Sequence, residues 1–255
     1  MTANMVRSMI SAEFLKLRRR RGIFWWSLVL TSGTMVAAFT TLVILHLNDP
    51  GHYGPAGGVK NFTGSMEALI GLGGVASIMI GASAGAGDLG AGVFRDMASS
   101  GRSRITLFLV RVPGALLLQL PLILGAFVLA TVASIVLAGS DPVPSATLIA
   151  QYGGWVLAGT VLELILAIGL ASVLGTRATT IGVLLAWELI GARLLQHFSF
   201  LGDVRKALNS TAIDSLKPGG PDLLPMSVAA AIAVVVCWAI VALAAGAFRT
   251  RTIDA

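Results

Sequence analysis

The sequence predicts an all-α integral membrane protein: six transmembrane helices preceded by an amphipathic helix lying along the membrane surface. Three observations carry this. Of 255 residues, 56% are hydrophobic and only 12% are charged, with a mean hydropathy of +0.86. A soluble domain carries about 25% charged residues, so this chain has too few to cover a globular surface. Apolar runs recur along it at lengths near the ~20 residues that a bilayer core requires. The basic residues gather at the ends of those runs. A nucleic-acid binder would array them on one soluble face, so the net charge of +6 does not point to nucleic acid. Residues 1–255 read as a single transmembrane domain.

Residues 1–22 are polar and basic, with Arg7, Glu13, Lys16 and the run Arg18–Arg21. Met5, Met9, Ile10, Phe14 and Leu17 give them an apolar stripe, the pattern of a helix on an anionic cytoplasmic leaflet. Span one, 23–47, is longer than the about 7–15 apolar residues of a signal peptide, and no small-residue cleavage site closes it. Trp25 and Trp26 stand at its edge as interfacial anchors. A Gly/Pro-rich loop over 48–66 leads to span two, 68–86, rich in the small residues that let helices approach in lipid. Span three lies within 107–138, where Pro113 and Pro121 can kink it. Spans four, five and six are 150–174, 181–196 and 226–248. The 197–225 connection holds Phe198, Phe200, Leu201 and Val204 and is too apolar for a free loop. It predicts short helices or a partly re-entrant piece on the exterior face.

Six spans put both termini on one side. Arg7, Lys16, Arg18–Arg21, Arg95, Arg102, Arg104, Arg177, Arg249 and Arg251 fall on that side, against Lys60, Arg205, Lys206 and Lys217 on the other. The positive-inside rule then makes both termini cytoplasmic.

Between spans two and three runs GDLGAGVFRDMASSGRSRITLFLVR, from Gly87 to Arg111. Leu89, Val93, Phe94 and Met97 share a face at helical spacing, with Arg95 and Asp96 elsewhere on the turn. Ser99, Ser100 and Gly101 stop the helix. The pattern predicts a short amphipathic helix at the cytoplasmic face, shaped to be pushed on by a cytosolic partner.

Other motifs read as packing. Gly85–Gly90 spells GxGxxG but ends a membrane span, without the strand that a dinucleotide fingerprint needs. Gly81–Gly85 spells GxSxG. A nucleophilic Ser83 needs a base, and His46, His52 and His197 all map to the opposite side, so a GxxxG-type helix contact is the better reading. Asn61-Phe62-Thr63 is a chance glycosylation match. No Walker A pattern occurs. His46 and His52 lack a third metal ligand, and the single Cys237 cannot form an intramolecular disulfide. Glu163 in span four, with Glu188 and Arg193 in span five, are ionisable residues within spans. Each costs about 2.5–3.5 kcal/mol facing lipid at the bilayer centre on insertion scales. They line a polar pathway, or Glu163 or Glu188 pairs with an arginine on a neighbouring helix while Arg193 snorkels outward.

Two segments together resemble the membrane subunit of ABC-2 type ATP-binding-cassette transporters. Glu13, Lys16 and Arg18, spaced E-x-x-K-x-R before span one, are like that family's interfacial elbow helix. In the interruption, Asp88 matches the family's acidic residue, Gly92 its glycine, Arg95 its helix arginine and Ser103-Arg104 its Ser-Arg pair. Arg111 stands where lysine is common, Val93 replaces threonine and Gly101 replaces proline. The resemblance implies a permease of the bacterial plasma membrane that dimerises with itself or a similar partner and docks two cytosolic ATPase subunits. Asp88, Leu89, Gly92, Val93, Phe94, Arg95, Asp96, Met97, Ser103 and Arg104 would form the coupling element. It implies no cofactor on this chain, ATP and Mg on the ATPase, lipid around the spans, no nucleic acid, and export of a drug, antimicrobial peptide, lipid or polysaccharide. Two other classes stand beside it: an intramembrane enzyme using Ser83 or Glu163 and Glu188, and a non-transporting scaffold or self-protection protein.

Overall fold

The computed structural model describes residues 3–90, 103–220 and 224–252. Helix α1 (Ala3–Arg19) precedes α2 (Arg21–Asn48), α3 (Gly58–Gly90), a two-part span made of α4 (Arg104–Leu109) and α5 (Arg111–Val136), α6 (Ala146–Leu174) and α7 (Arg177–His197). A 3₁₀ segment (Ser199–Ala207) and α8 (Asn209–Ser215) follow, then α9 (Val228–Thr252). Among the described residues there is no strand, and six helices are long and apolar enough to cross a membrane. The chain is therefore an all-α, multi-pass membrane protein. The class follows from the solvent: lipid offers no partner to a backbone N–H or C=O, and a helix satisfies both within itself.

The centre of the bundle is the pair α3 and α6, held by small residues. A Cβ added at Gly81 would stand 2.5 Å from the Leu164 carbonyl oxygen and 2.7 Å from the Ala167 Cβ. One turn on, a Cβ at Gly85 would meet the Ile168 carbonyl at 2.5 Å and the Ala171 Cβ at 2.7 Å. Only glycine allows backbones this close, and close approach is what binds helices where lipid is as apolar as the side chains. Ser83, between them, donates to its own helix at the Met79 carbonyl, 2.7 Å away. The GxSxG stretch is a packing seam. The opposite face of α6 meets α9 in the same way, where a Cβ at Gly169 would collide with the Ala242 backbone.

Polar side chains rivet α5 onto this pair. Gln119 is fully buried and donates through Nε2 to Ser77 Oγ at 2.6 Å and to the Thr160 carbonyl at 2.7 Å. Arg111, 1% exposed, donates to the Gly85 carbonyl at 2.8 Å and approaches Ser172 Oγ at 3.4 Å. Its guanidinium thus seals the end of the glycine seam.

Helix α1 buries Met9 and Leu17 and packs on α5 at Gly114, where a Cβ would lie 2.6 Å from the Glu13 Cβ. Glu13 and Lys16 pair on its flank at 2.7 Å.

Three boundaries differ from the sequence expectation. Helix α3 starts at Gly58, ten residues before the expected Ala68. Gly58 takes φ +83, which reverses the chain at the cost only glycine escapes. Asn61 Nδ2 then caps the neighbouring carbonyls of Pro55 and Gly57, each at 3.0 Å, which occupies the side chain of the apparent glycosylation motif. Span three begins at Arg104 and breaks at Val110, because Pro113 has no N–H to offer the Leu109 carbonyl. Pro121, by contrast, sits inside α5 without ending it. Span five starts at Arg177, just after Gly175 closes α6 with φ +74.

Substituting Gly81 or Gly85 with Ala forces the α3–α6 backbones apart and is expected to cost about 1–3 kcal/mol, the usual scale of overpacking. Gly64→Ala, where an added Cβ meets nothing within 4 Å, is the control. Thermal unfolding of the detergent-solubilised protein, followed by helical circular dichroism, reads the difference as a lower Tm for the first two only.

Candidate functional site

The connection between α7 and α9 folds back into the bundle. Of α8, residues Asn209–Ile213 and Ser215 are buried. Three tryptophan indoles from three different spans hold it. Trp155 of α6 donates to the Ile213 carbonyl at 2.8 Å, Trp187 of α7 to Asn209 Oδ1 at 3.1 Å, and Trp238 of α9 to the Ala207 carbonyl at 2.8 Å. Buried Gln196 adds donations to Ser210 Oγ at 2.9 Å and Thr211 Oγ1 at 3.2 Å. At the outer edge, Lys217 reaches Glu67 of α3 at 3.1 Å. The tip of the connector is exposed. There the exposed Asp203 meets Lys206 at 2.8 Å, and that hydrogen bond, aided by the lysine charge, lowers its carboxyl from the ordinary value.

Beneath α8 lies an open cavity of about 220 Å³ between α3, α6, α7 and α8. The apolar side chains Ile70, Val75, Ile78, Trp155, Leu185 and Leu189 make most of its wall. Gly71 and Gly74 keep the α3 side low. Glu163, near the middle of α6, and Glu188 of α7 meet here with their carboxyls side by side. Asn209 donates to Glu188 Oε1 at 2.6 Å while accepting from Trp187. Glu163 Oε2 is shielded from solvent and meets no donor among the described residues. Glu188 sits in a π-helical turn, Trp187–Gly191, where one extra residue per turn shifts the side chains off the regular helical face. Such turns recur at functional sites.

The structure thus joins Glu163 and Glu188. Among the described residues, neither carboxylate is bound to an arginine on a neighbouring helix. Arg193 instead reaches Asp214 of α8 at 3.4 Å, with its side chain 60% exposed, one turn and a half along from Glu188. The reason is reach: Arg193 is on the same helix as Glu188 and points toward the connector, whereas Glu163 approaches from across the cavity.

Other predicted residues fall elsewhere. Glu13, Lys16 and Arg18 lie on α1. Asp88 and Leu89 belong to the last turn of α3, which runs unbroken from the cavity wall. Gly92, Val93, Phe94, Arg95, Asp96 and Met97 lie outside the described residues. Ser103 precedes α4, and Arg104, its first residue, donates to the Arg251 carbonyl at 3.4 Å. Asn209, Trp155 and Trp187 are not among the residues the sequence singles out. The signal for the tryptophans is a Trp inside an apolar run away from both interfaces, since a buried indole N–H demands a partner.

Compared with models of protein families and with curated proteins, the chain matches none.

Asn209, itself buried, ties α8 to α7 through two partly buried hydrogen bonds, so Asn209→Ala is expected to cost about 1–3 kcal/mol, seen as a lower Tm. Asp203→Ala, at the exposed tip, should leave Tm unchanged in the same measurement.

Proposed function

We propose that this chain is the permease subunit of an ATP-driven exporter of the ABC-2 type, drawing its energy from two copies of a separate cytosolic ATPase and pairing with a second permease chain. The observation that carries the reading is the course of α3. Its middle stretch lines the cavity through Ile70, Gly71, Gly74, Val75 and Ile78, and the same helix continues to Gly90, the threshold of the segment 91–102. A push delivered by an ATPase to Val93, Phe94 and Arg95 would travel along one uninterrupted helix to the cavity. The order of parts supports the same reading: a surface helix before span one, six spans, and a connector between spans five and six that folds back into the bundle.

In this reading both termini and the 91–102 segment face the cytoplasm, in the plasma membrane of a bacterium. The cavity, between the middle of the bundle and α8, opens toward the exterior in this reading. An intramembrane serine enzyme is disfavoured by the placement of Ser83, whose hydroxyl is bonded back to Met79 within a glycine seam. The two carboxyls keep their interest as part of a path for cargo.

Purification from the native membrane in mild detergent tests this. The expected companion is a stoichiometric ATPase with a Walker A motif, and the double change Phe94→Ala with Arg95→Ala should release it and reduce export of cargo at least tenfold, about 1.4 kcal/mol of coupling or more. An intact complex and unchanged export in that double variant would sink the coupling assignment. Absence of any ATPase under several gentle conditions would sink the exporter reading itself.

A further inference from the structure

We infer that the cavity under α8 is a binding site for a small lipophilic ammonium: a positively charged nitrogen carried on an apolar body. The inference deepens the exporter reading, on which it rests only for the idea that the bound molecule is cargo.

The cavity is acidic. Three carboxyls, those of Glu163, Glu188 and Asp214, line the cavity against a single guanidinium, that of Arg193. That guanidinium is directed at Asp214 and reaches Glu188 only at longer range along their common helix. The deepest carboxyl, Glu163, has an oxygen shielded from water with no donor in reach. Two carboxyls side by side in apolar surroundings need a counter-charge, either a shared proton or a bound cation. The amide of Asn209 fills one lone-pair direction of Glu188 at 2.6 Å, and the Glu188 carboxyl also stands within hydrogen-bonding reach of Glu163.

The walls decide which cation. A metal ion takes several oxygen or nitrogen ligands in a compact shell, and among the described residues no three metal-ligating side chains, these carboxyls included, stand close enough together to hold one. The space beside the carboxyls is instead walled by aliphatic side chains and by Trp155, whose indole N–H is already committed to Ile213, leaving its ring as the cavity's surface. Apolar and aromatic walls around a carboxylate suit an organic ammonium, which is weakly hydrated and gains from aromatic contact. The two glycines on α3 make the room: a Cβ at Gly71 would meet nothing within 4 Å, and one at Gly74 would touch only the Glu163 side chain, at 3.7 Å.

The test is calorimetric titration of the full chain in phosphatidylglycerol nanodiscs with phenyltrimethylammonium, using empty discs as the blank. tert-Butylbenzene, which has the same shape without the charge, is the parallel ligand. The cation should bind, and its neutral isostere at least about tenfold more weakly. The double variant Glu163→Gln, Glu188→Gln should lose at least about tenfold in cation affinity. Asp203→Asn removes a charge at the same end of the molecule but outside the cavity, and should change nothing. Gly71→Leu keeps both carboxyls and fills the space, so it should abolish binding while folding normally. It answers the question even if the double Gln variant is unstable. Repeating the titration in phosphatidylcholine separates two sources of the ammonium: weaker apparent affinity there marks a lipid headgroup as the occupant, equal affinity a soluble amphiphile. Cation binding that survives both the Gln pair and Gly71→Leu, or equal binding of the neutral isostere, overturns the inference. That failure leaves ATPase association untouched, whereas loss of the ATPase partner with cation binding intact would overturn the exporter reading alone.

Discussion

The contact on which the bundle depends is the backbone-to-backbone approach of α3 and α6 at Gly81 and Gly85. In water a helix pair is driven together by removing apolar surface from solvent. In lipid that drive is absent, and dispersion between closely fitted surfaces with a few polar links must do the holding. The seam meets both needs. Its glycines admit the carbonyls and β-carbons of Leu164, Ala167, Ile168 and Ala171, and the Gly85 carbonyl accepts from the buried Arg111 of α5. Gln119 repeats the device nearer the middle of the bundle by joining α5 to Ser77 and Thr160. Three helices are locked by small residues and by two polar side chains, each fully or almost fully buried.

What this locked core leaves out is as telling. The connector is held differently, through long-armed hydrogen bonds from Trp155 of α6, Trp187 and Gln196 of α7 and Trp238 of α9 rather than through a glycine seam. Only a small share of α7 is buried within the chain. Side-chain links of this kind keep a short helix such as α8 in place while leaving space beneath it, and the space is the cavity. Backbone groups of α8 can sit at that depth only because protein, not lipid, surrounds them.

Much of this was legible in the sequence, and the parts that were not share a cause. The membrane class follows from composition, because twelve charged residues in a hundred cannot cover a soluble surface. The small-residue stretch of span two announces close packing. The packing of the connector against the bundle is written in its apolar residues, which no free loop of that length would carry. By contrast, the start of α3 at Gly58 was hidden, since a Gly/Pro-rich composition describes a loop and a helix start equally well until Gly58 is seen at φ +83. The meeting of Glu163 with Glu188 was hidden for a stronger reason. Charge pairing rules lead one to expect an arginine opposite a buried glutamate, and only the rotation of α7 at its π turn and the arrival of Asn209 from the connector reveal the carboxyl pair. A partner supplied from across a cavity leaves no periodicity in either strand of sequence.

The two kinds of attachment bear on how such a bundle can work. Because α3 and α6 are in backbone contact, a force applied beyond Gly90 cannot move one without the other; a slip of even one side-chain radius would drive Ala167 and Ala171 into the glycine positions they now face. The cavity walls outside this locked pair are α7 and α8. Glu163 stands on the locked body and Glu188 on α7, across the cavity from it. In the proposed transport cycle a charge held between the two carboxyls would be gripped while these helices are together and released when they part, so occupancy of the cavity and the position of α7 would be linked.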